Sequence, residues 1–336
     1  MTPEGSTIHR LVTAMLGAQR AGAVLSVMET DPQLTQAAGG PSRAQVAMAL
    51  NVVLFADLLT RVPAAAAYVA EVRNAGRTIC FDHGALRTID GPSGALPCGT
   101  AAFSRLLEPL GYALAGTYPL PRLKMTGRAF AHRDLPESVP QFFVSELHVA
   151  QLPEAAQAAA GRIFGDSRDL LGDAEWTLLD QLERDEHCSL EAALTGLPGL
   201  VAAFGRHHAA PSLADYETLR AASAEGAWIA TEGNAFNHAT DRVPDVTALA
   251  DELSRRGLPL KAEVEVSANG RVRQTAFRAA QIVRQFRGSG GGVIEREVPG
   301  SFYEFISRDF DPATGRLDLS FDSGNATGIF AVTAAP

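Results

Sequence analysis

Apolar residues recur at helical spacing through the first 76 residues. One helix is predicted over residues 5–29, where apolar side chains lie three or four positions apart: Ile8, Leu11, Val12, Met15 and Leu16. A second helix is predicted from Ser42, a suitable N-cap, to about Leu59, and a short third one begins at Pro63. We expect residues 1–76 to pack against the rest of the protein or to cover it.

The pattern changes to short strands after residue 76. The order predicted for residues 77–149 is a strand, a helix and three more strands, at 77–81, 99–110, 112–118, 123–132 and 141–149. Turn-rich segments containing several prolines separate the last three strands. We therefore interpret this region as a first β-rich half with a βαβββ order.

A helical period returns in residues 150–225, where alanine is frequent and β-branched residues are few. Four helices are predicted there, at 152–164, 174–186, 190–207 and 213–224. We interpret this region as a helical insertion into a single domain that comprises residues 1–336.

Residues 226–336 are predicted to repeat the order of strand, helix and strands. A strand at 228–231 and a loop carrying His238 come before a helix at 246–256. Further strands are predicted at 262–266, 272–279, 293–297, 302–307 and 328–332. Such a repeat would place side chains from both β-rich halves around one central cavity.

Charge and composition narrow the range of partners. The chain is 46% hydrophobic with a net charge of −9, and we find no dense basic cluster of the kind that binds nucleic acid. An anionic substrate would therefore need local positive charge from arginines or a metal.

The sequence favours a cytoplasmic protein. The N-terminus shows no secretory signal. The most apolar run, residues 44–59, is interrupted by polar residues and is typical of a buried helix, so we expect no membrane partner. Three scattered cysteines, Cys80, Cys98 and Cys188, suit a reducing compartment.

Three segments carry the candidate chemistry. In an extended strand Phe81, His83 and Ala85 would share a face, and an arginine, Arg87, follows. His238 follows a glycine- and asparagine-rich stretch, where functional side chains are common. A single histidine in a strand is nevertheless more often a hydrogen-bonded core residue than a metal ligand.

The third segment, 301–306, places the carboxylate of Glu304 in an apolar run. A buried carboxylate requires a compensating cation, which could be a metal or an arginine such as Arg308. Two histidines and one carboxylate are the ligand set of non-haem Fe(II) oxygenases. Because these three residues lie far apart in sequence, spacing alone leaves both interpretations open.

Five blocks in order resemble the 2-oxoadipate dioxygenase/decarboxylase family, which makes D-2-hydroxyglutarate in lysine catabolism. The blocks are FDHGALRT at 81–88, QFFVSEL at 141–147, GNAFNHATDRV at 233–243, YEFISR at 303–308 and FDSGNATGIF at 321–330. The resemblance implies an α+β fold like that of vicinal-oxygen-chelate proteins, with paired βαβββ modules around a central metal cavity.

The resemblance also implies a reaction and the residues that perform it. His83, His238 and Glu304 would bind one Fe(II), and Arg87 would bind the substrate carboxylate. The enzyme would convert 2-oxoadipate and O2 to 2-hydroxyglutarate and CO2 without a separate co-substrate. Donors for the far carboxylate are expected from Arg278 or from the loop 323–327, which contains Asn325 and Thr327.

Two departures from the family pattern keep alternatives open. The block QTAFR at 274–278 differs from the serine-containing form expected there, and the helical insertion at 150–225 does not align clearly. The same chemistry could act on a different 2-oxo acid in a biosynthetic pathway. A non-catalytic small-molecule-binding protein of the same fold is the remaining alternative.

Overall fold

The computed structural model describes residues 2–36 and 39–321. The predicted strand at 328–332 and the predicted substrate contacts Asn325 and Thr327 lie outside these ranges.

The N-terminal block forms four helices. The predicted helix at 5–29 is two helices, α1 (Thr7–Leu16) and α2 (Ala18–Leu25), because Gly17 has a φ of 75° and breaks the backbone between them. The next two are α3 (Arg43–Arg61) and α4 (Pro63–Asn74).

Helix α3 is the central helix of this block. The side chains and backbones of Ser42 and Gln45 form a capping box at its start, as the sequence predicts for Ser42. Of the described helices, α3 alone is long and apolar enough to cross a membrane, but 83% of its apolar window is buried within the fold. That burial is typical of a core helix.

The first β-rich half has the predicted βαβββ order. Its elements are β1 (Phe81–Asp90), α5 (Ala101–Leu107), β2 (Tyr112–Leu120), β3 (Met125–His132) and β4 (Gln141–His148). The strands lie in the order β2-β3-β4-β1, with β1 parallel to β4 and the other two pairs antiparallel. The first strand begins at Phe81, so it contains the whole histidine motif instead of leading into it.

Five helices follow: α6 (Glu154–Phe164), α7 (Asp173–Asp185), α8 (Leu190–Ala202), α9 (Leu213–Ala222) and α10 (Ala224–Glu232). The strand predicted at 228–231 is wrong, because these residues belong to α10. Ser223 caps this helix, and its residues 225–232 are all buried. A short apolar run that is buried on every side has no periodicity to distinguish a helix from a strand.

The second β-rich half repeats the first. Its elements are β5 (Phe236–Arg242), α11 (Val246–Arg255), β6 (Glu265–Val266), β7 (Val272–Ala276) and β10 (Phe302–Arg308). They lie in the order β5-β10-β7-β6, with β5 parallel to β10. The predicted loop around His238 is therefore wrong, since His238 lies within β5.

A hairpin is inserted between β7 and β10. It consists of β8 (Gln281–Arg287) and β9 (Val293–Pro299), which form a separate two-stranded sheet. The sequence did not predict β8, because polar and charged residues dominate its exposed face.

Antiparallel pairing of β1 with β5 joins the two halves into one eight-stranded sheet. Each half thus contributes a βαβββ module, and the central strands of the sheet come from both. The molecule has the α+β fold of paired modules that the resemblance implies.

Gly84 is required by packing at the centre of this sheet. A Cβ added to Gly84 would lie 2.2 Å from Cζ of the Phe236 ring. Gly84→Ala is expected to destabilise the protein by about 1–3 kcal/mol, because a well-packed core cannot absorb the extra atom. Thermal unfolding measures this effect. Gly22→Ala is the matched control, since nothing lies within 4 Å of its added Cβ; an equal loss in both variants would contradict the packing argument.

Candidate metal centre

Three neighbouring strands bring the candidate ligands together. His83 lies on β1, His238 on β5 and Glu304 on β10, and β5 is hydrogen-bonded to both of the others. Thr240 of β5 is paired with His83 on one side and with Glu304 on the other. Paired residues share a face of the sheet, so the register places the candidate ligands side by side.

The three side chains form a compact and buried donor set. His83 Nε2 lies 3.4 Å from His238 Nε2 and 3.7 Å from Glu304 Oε1. His238 Nε2 lies 4.0 Å from Glu304 Oε1, and all three residues are buried. Adjacent ligands of an octahedral ion with bonds of about 2.1 Å are about 3.0 Å apart, so small side-chain movements suffice to close around one ion. The donors therefore fit a divalent transition metal.

A buried ion pair orients the first histidine. Asp82 Oδ1 lies 2.8 Å from His83 Nδ1, and Arg308 donates to Asp82 from Nε and Nη2 at 2.9 Å. A carboxylate on the far ring nitrogen directs Nε2 towards a metal and raises its basicity. Of the two partners considered for Glu304, Arg308 is the wrong one, because its carboxylate partner is Asp82.

Two further polar groups surround the donor set. Thr240 Oγ1 lies 3.1 Å from His83 Nε2 and donates to Glu304 Oε1 at 3.2 Å. The side-chain amide of Asn237 contacts His238 Nδ1 at 3.0 Å. The Thr240 contacts link β5 to the ligands on β1 and β10, and the Asn237 contact lies within β5.

Burial shifts the protonation of all three candidate ligands. Burial lowers the pKa of His83, although Asp82 acts to raise it. Burial also lowers the pKa of His238 well below its ordinary value. Burial also raises the pKa of Glu304 to about 7. Neutral imidazoles keep their lone pairs for a metal, and a cation would stabilise the costly buried carboxylate.

The triad opens into a cavity on the same face of the sheet. Its described walls combine apolar side chains with a few polar groups: His83, Ala85, Arg87, Leu120, Leu123, Met125, Phe143, Ser145, Asn237, His238, Gln274, Glu304 and Phe321. A site of this composition suits a small molecule with an anionic end.

Arg87 provides positive charge in this cavity. Its guanidinium lies 5.3 Å from the centroid of the Trp228 ring, and Asn234 Nδ2 donates to its backbone oxygen at 2.6 Å. Burial lowers the pKa of Arg87 to about 10, with Glu225 acting in the opposite direction, so the side chain remains charged at neutral pH.

A sequence model of the 2-oxoadipate dioxygenase/decarboxylase family matches residues 45–316. The chain belongs to this family. The matched range includes both β-rich modules and the helices between them. A comparison with curated protein sequences gave no match.

Solved structures agree with this family membership. A protein provisionally assigned to the glyoxalase superfamily from Ralstonia eutropha JMP134 is 51% identical, with a TM-score of 0.91 over 94% of this chain and 98% of that chain. A hydroxyglutarate synthase from Oryza sativa, in complex with 2-oxoadipate, is 21% identical, with a TM-score of 0.65 over 89% and 97% of the two chains. The corresponding complex from Pseudomonas putida is also 21% identical, with a TM-score of 0.63 over 88% and 74%. The last two similarities are similarities of fold.

The predicted substrate contact Arg278 does not lie at the cavity. Arg278 is exposed and is not one of the described residues that line the cavity. Phe81 does not share the face of His83 as predicted, because the register of β1 shifts between them. Its ring packs in the core, 5.0 Å from the ring of Phe55. The face towards the cavity instead carries His83, Ala85 and Arg87.

Sequence reasoning did not single out Phe321 as a site residue. Its ring centroid lies 4.8 Å from that of His83, and its backbone N–H donates to the Tyr118 hydroxyl at 3.1 Å. Arg308 stacks over the same ring at 5.2 Å. Phe321 begins the last of the five blocks that resemble the family, and this resemblance is the sequence feature that could have identified it as a site residue. The Phe321 ring thus covers one side of His83.

Proposed function

We propose that this protein is an Fe(II)-dependent dioxygenase/decarboxylase that converts 2-oxoadipate and O2 to 2-hydroxyglutarate and CO2, without a separate co-substrate. The observation that carries the proposal is the buried set of two histidines and one carboxylate at one end of a cavity that contains a buried arginine. The 2-oxoadipate complexes of the hydroxyglutarate synthases from Oryza sativa and Pseudomonas putida support this choice of substrate.

The ligand set supports iron as the metal. Two histidines and one carboxylate on one side of Fe(II) leave open positions, at which the ion would supply activation of O2 and coordination of a 2-oxo acid. The protein contributes the orientation of its ligands through Asp82 and a cavity walled by apolar side chains. We place the enzyme in the cytoplasm, where its free cysteines Cys80, Cys98 and Cys188 would stay reduced.

Arg87 would bind and orient the carboxylate group next to the keto group. A guanidinium in a water-poor cavity can hold a carboxylate through two parallel hydrogen bonds. This contact fixes the substrate relative to the triad, and positioning of this kind can lower a barrier by several kcal/mol.

The direct test is O2 uptake by protein loaded with Fe(II) under anaerobic conditions, after 2-oxoadipate is added. We expect one CO2 to be released for each O2 consumed, and mass spectrometry should identify a five-carbon hydroxy diacid. Uptake without CO2 release would contradict the proposed reaction. If the protein bound no metal and consumed no O2, it would instead be a non-catalytic binding protein of the same fold.

A related 2-oxo acid is the second candidate substrate. Gln274, in the block that departs from the family pattern, lines the cavity and donates to Glu265 Oε2 at 3.1 Å. The departing block thus reaches the cavity wall, where the residues present decide which substrate side chain is accepted. Comparing initial rates for 2-oxo acids of different length and charge separates this candidate from 2-oxoadipate.

Arg87→Met is expected to raise the KM for the 2-oxo acid by about 10- to 100-fold, because a charge-assisted hydrogen bond is lost. The metal content should stay near that of the wild type, since Arg87 is not one of the candidate ligands. Steady-state kinetics and metal analysis measure the two effects. Arg296→Met, an exposed position in β9, is the control. Loss of metal in Arg87→Met would argue against the assigned role.

A further inference from the structure

Besides Arg87 and the Asp82-bound Arg308, a third buried cation, Lys261, lies near the metal centre. Its side chain is only 6% exposed, although lysine is normally among the most exposed residues. It is one of two lysines in a chain that otherwise relies on arginine for its positive charge.

The strand register places Lys261 on the cavity face. Its backbone N–H donates to the oxygen of Ala276 at 2.9 Å, and Ala276 is paired with Glu304. Leu260, the preceding residue, is bridged to Phe277 and packs with it in the hydrophobic core. Lys261 itself lies outside the strands, but neighbouring residues of extended backbone point to opposite faces, so the bridge at Leu260 directs Lys261 to the face of Ala276 and Glu304. Ala276, which lies between Lys261 and Glu304 in the pairing order, has only a methyl side chain.

Lys261 retains hydrogen-bonding capacity. Its Nζ donates to Glu265 Oε1 at 3.0 Å, and Glu265 also accepts from the cavity residue Gln274. An ammonium group has three N–H donors. Within the described chain, the carboxylate of Glu265 accepts one of them, which leaves donors for an anionic ligand.

The charge of Lys261 reaches the metal centre. Burial raises the pKa of Glu304, and the ammonium of Lys261 is the main charge that opposes this rise. Lys261 also contributes to the lowered pKa of His238, after burial, His83 and Arg87. Lys261 therefore acts on the triad from within the fold, as do Arg87 and the Asp82-bound Arg308.

Arg87 and Lys261 lie in different directions from the triad. Arg87 lies four residues beyond His83 on β1, which corresponds to about 13 Å along the strand. Lys261 lies across the sheet from Glu304, beyond β7, at about two strand spacings or 10 Å between backbones. A ligand at the triad can thus meet one positive group at each end.

We infer that Lys261 binds the second carboxylate of a dicarboxylic 2-oxo acid and thereby selects dicarboxylates over monocarboxylates. Glu265 holds the ammonium in place, and Gln274 can donate to the same carboxylate. This inference rests on the proposed function, in which Arg87 binds the carboxylate next to the keto group. Neither Lys261 nor Arg278 is among the described residues that line the cavity. Lys261 is buried and is held by Glu265, which binds the lining residue Gln274, so the inference assigns the far carboxylate to Lys261 in place of the exposed Arg278.

The test compares 2-oxoadipate with 2-oxohexanoate, which has the same number of carbons but lacks the far carboxylate. Binding to the Fe(II)-loaded protein is measured by calorimetry without O2. We expect the wild type to prefer 2-oxoadipate and Lys261→Met to bind it about 10- to 100-fold more weakly, because a charge-assisted contact is lost. Binding of 2-oxohexanoate should not change. Lys261→Arg should retain part of the preference.

Several results would overturn the inference. These are a wild type without preference, an equal loss for both ligands in Lys261→Met, or loss of the preference in Arg278→Met alone. Loss of metal from Lys261→Met would also overturn it, because Lys261 would then only balance the charge of Glu304. Since binding is measured without O2, a preference for 2-oxoadipate without turnover would contradict the proposed function and leave this inference standing.

Discussion

Glu304→Gln is expected to remove the metal from the purified protein and to lower turnover of the 2-oxo acid by more than about 100-fold. Loss of a group that merely orients a metal ligand already costs 10- to 100-fold, and Glu304 would be a ligand itself. Glutamine keeps the shape of the side chain but removes its negative charge. Metal analysis and O2 uptake measure the two losses, and Glu297→Gln, an exposed position in β9, is the control.

In the absence of metal, Glu304→Gln should be more stable than the wild type at alkaline pH. Glu304 has a folded-state pKa of about 7 against an ordinary value of 4.5, so its ionisation destabilises the folded state as pH rises from 4.5 to 7. The cost above pH 7 is roughly 3 kcal/mol. Metal-free Glu304→Gln is thus expected to melt above the metal-free wild type at pH 8, and at nearly the same temperature at pH 4.5. A variant that binds metal as tightly as the wild type would contradict the assignment of Glu304.

Asp82→Asn is expected to destabilise the protein by about 3–5 kcal/mol, because the fully buried Arg308 loses its charged partner. Burial opposes the ionisation of Asp82, but Arg308 and His83 together hold its pKa well below the usual range. The ionised carboxylate therefore contributes stability above about pH 4, and this contribution is lost as pH falls through the folded-state pKa. Denaturant unfolding of the metal-free proteins at pH 7 measures the difference.

A double variant that removes the charges of both Asp82 and Arg308 distinguishes the effect of Asp82 on stability from its effect on metal affinity. In Asp82→Asn combined with Arg308→Met, the unpaired charge of the fully buried Arg308 is removed, and only the partly exposed Arg242 has lost its contact with Asp82, so part of the lost stability should return. Metal affinity should stay about 10- to 100-fold below that of the wild type, since His83 Nδ1 lacks its carboxylate. Isothermal titration with a divalent metal measures this affinity. Full recovery of affinity in the double variant would show that Asp82 does not orient His83.

The sequence was sufficient for the βαβββ order of the first half, and the family resemblance it carries was sufficient to name the three candidate ligands. The last three strands of that half could be predicted because turn-rich segments separate them. Glu304 was visible because a carboxylate in an apolar strand is costly without a cation. Local pattern failed where burial is complete, as in the helix α10, which was predicted as a strand, and in β5, where His238 was predicted in a loop.

Pairing between strands that are distant in sequence decided the geometry of the site. The register between β1, β5 and β10 sets the distances within the triad, and these strands lie far apart in the chain. The same pairing assigns Arg308 to Asp82 instead of Glu304. The pairing of β10 with β7 and the bridge between Leu260 and Phe277 place Lys261 on the cavity face. A shift of one residue in a strand moves every side chain to the other face. The sequence by itself therefore determined which groups are available, and only the tertiary structure decided which of them meet, because strand register depends on the whole folded sheet.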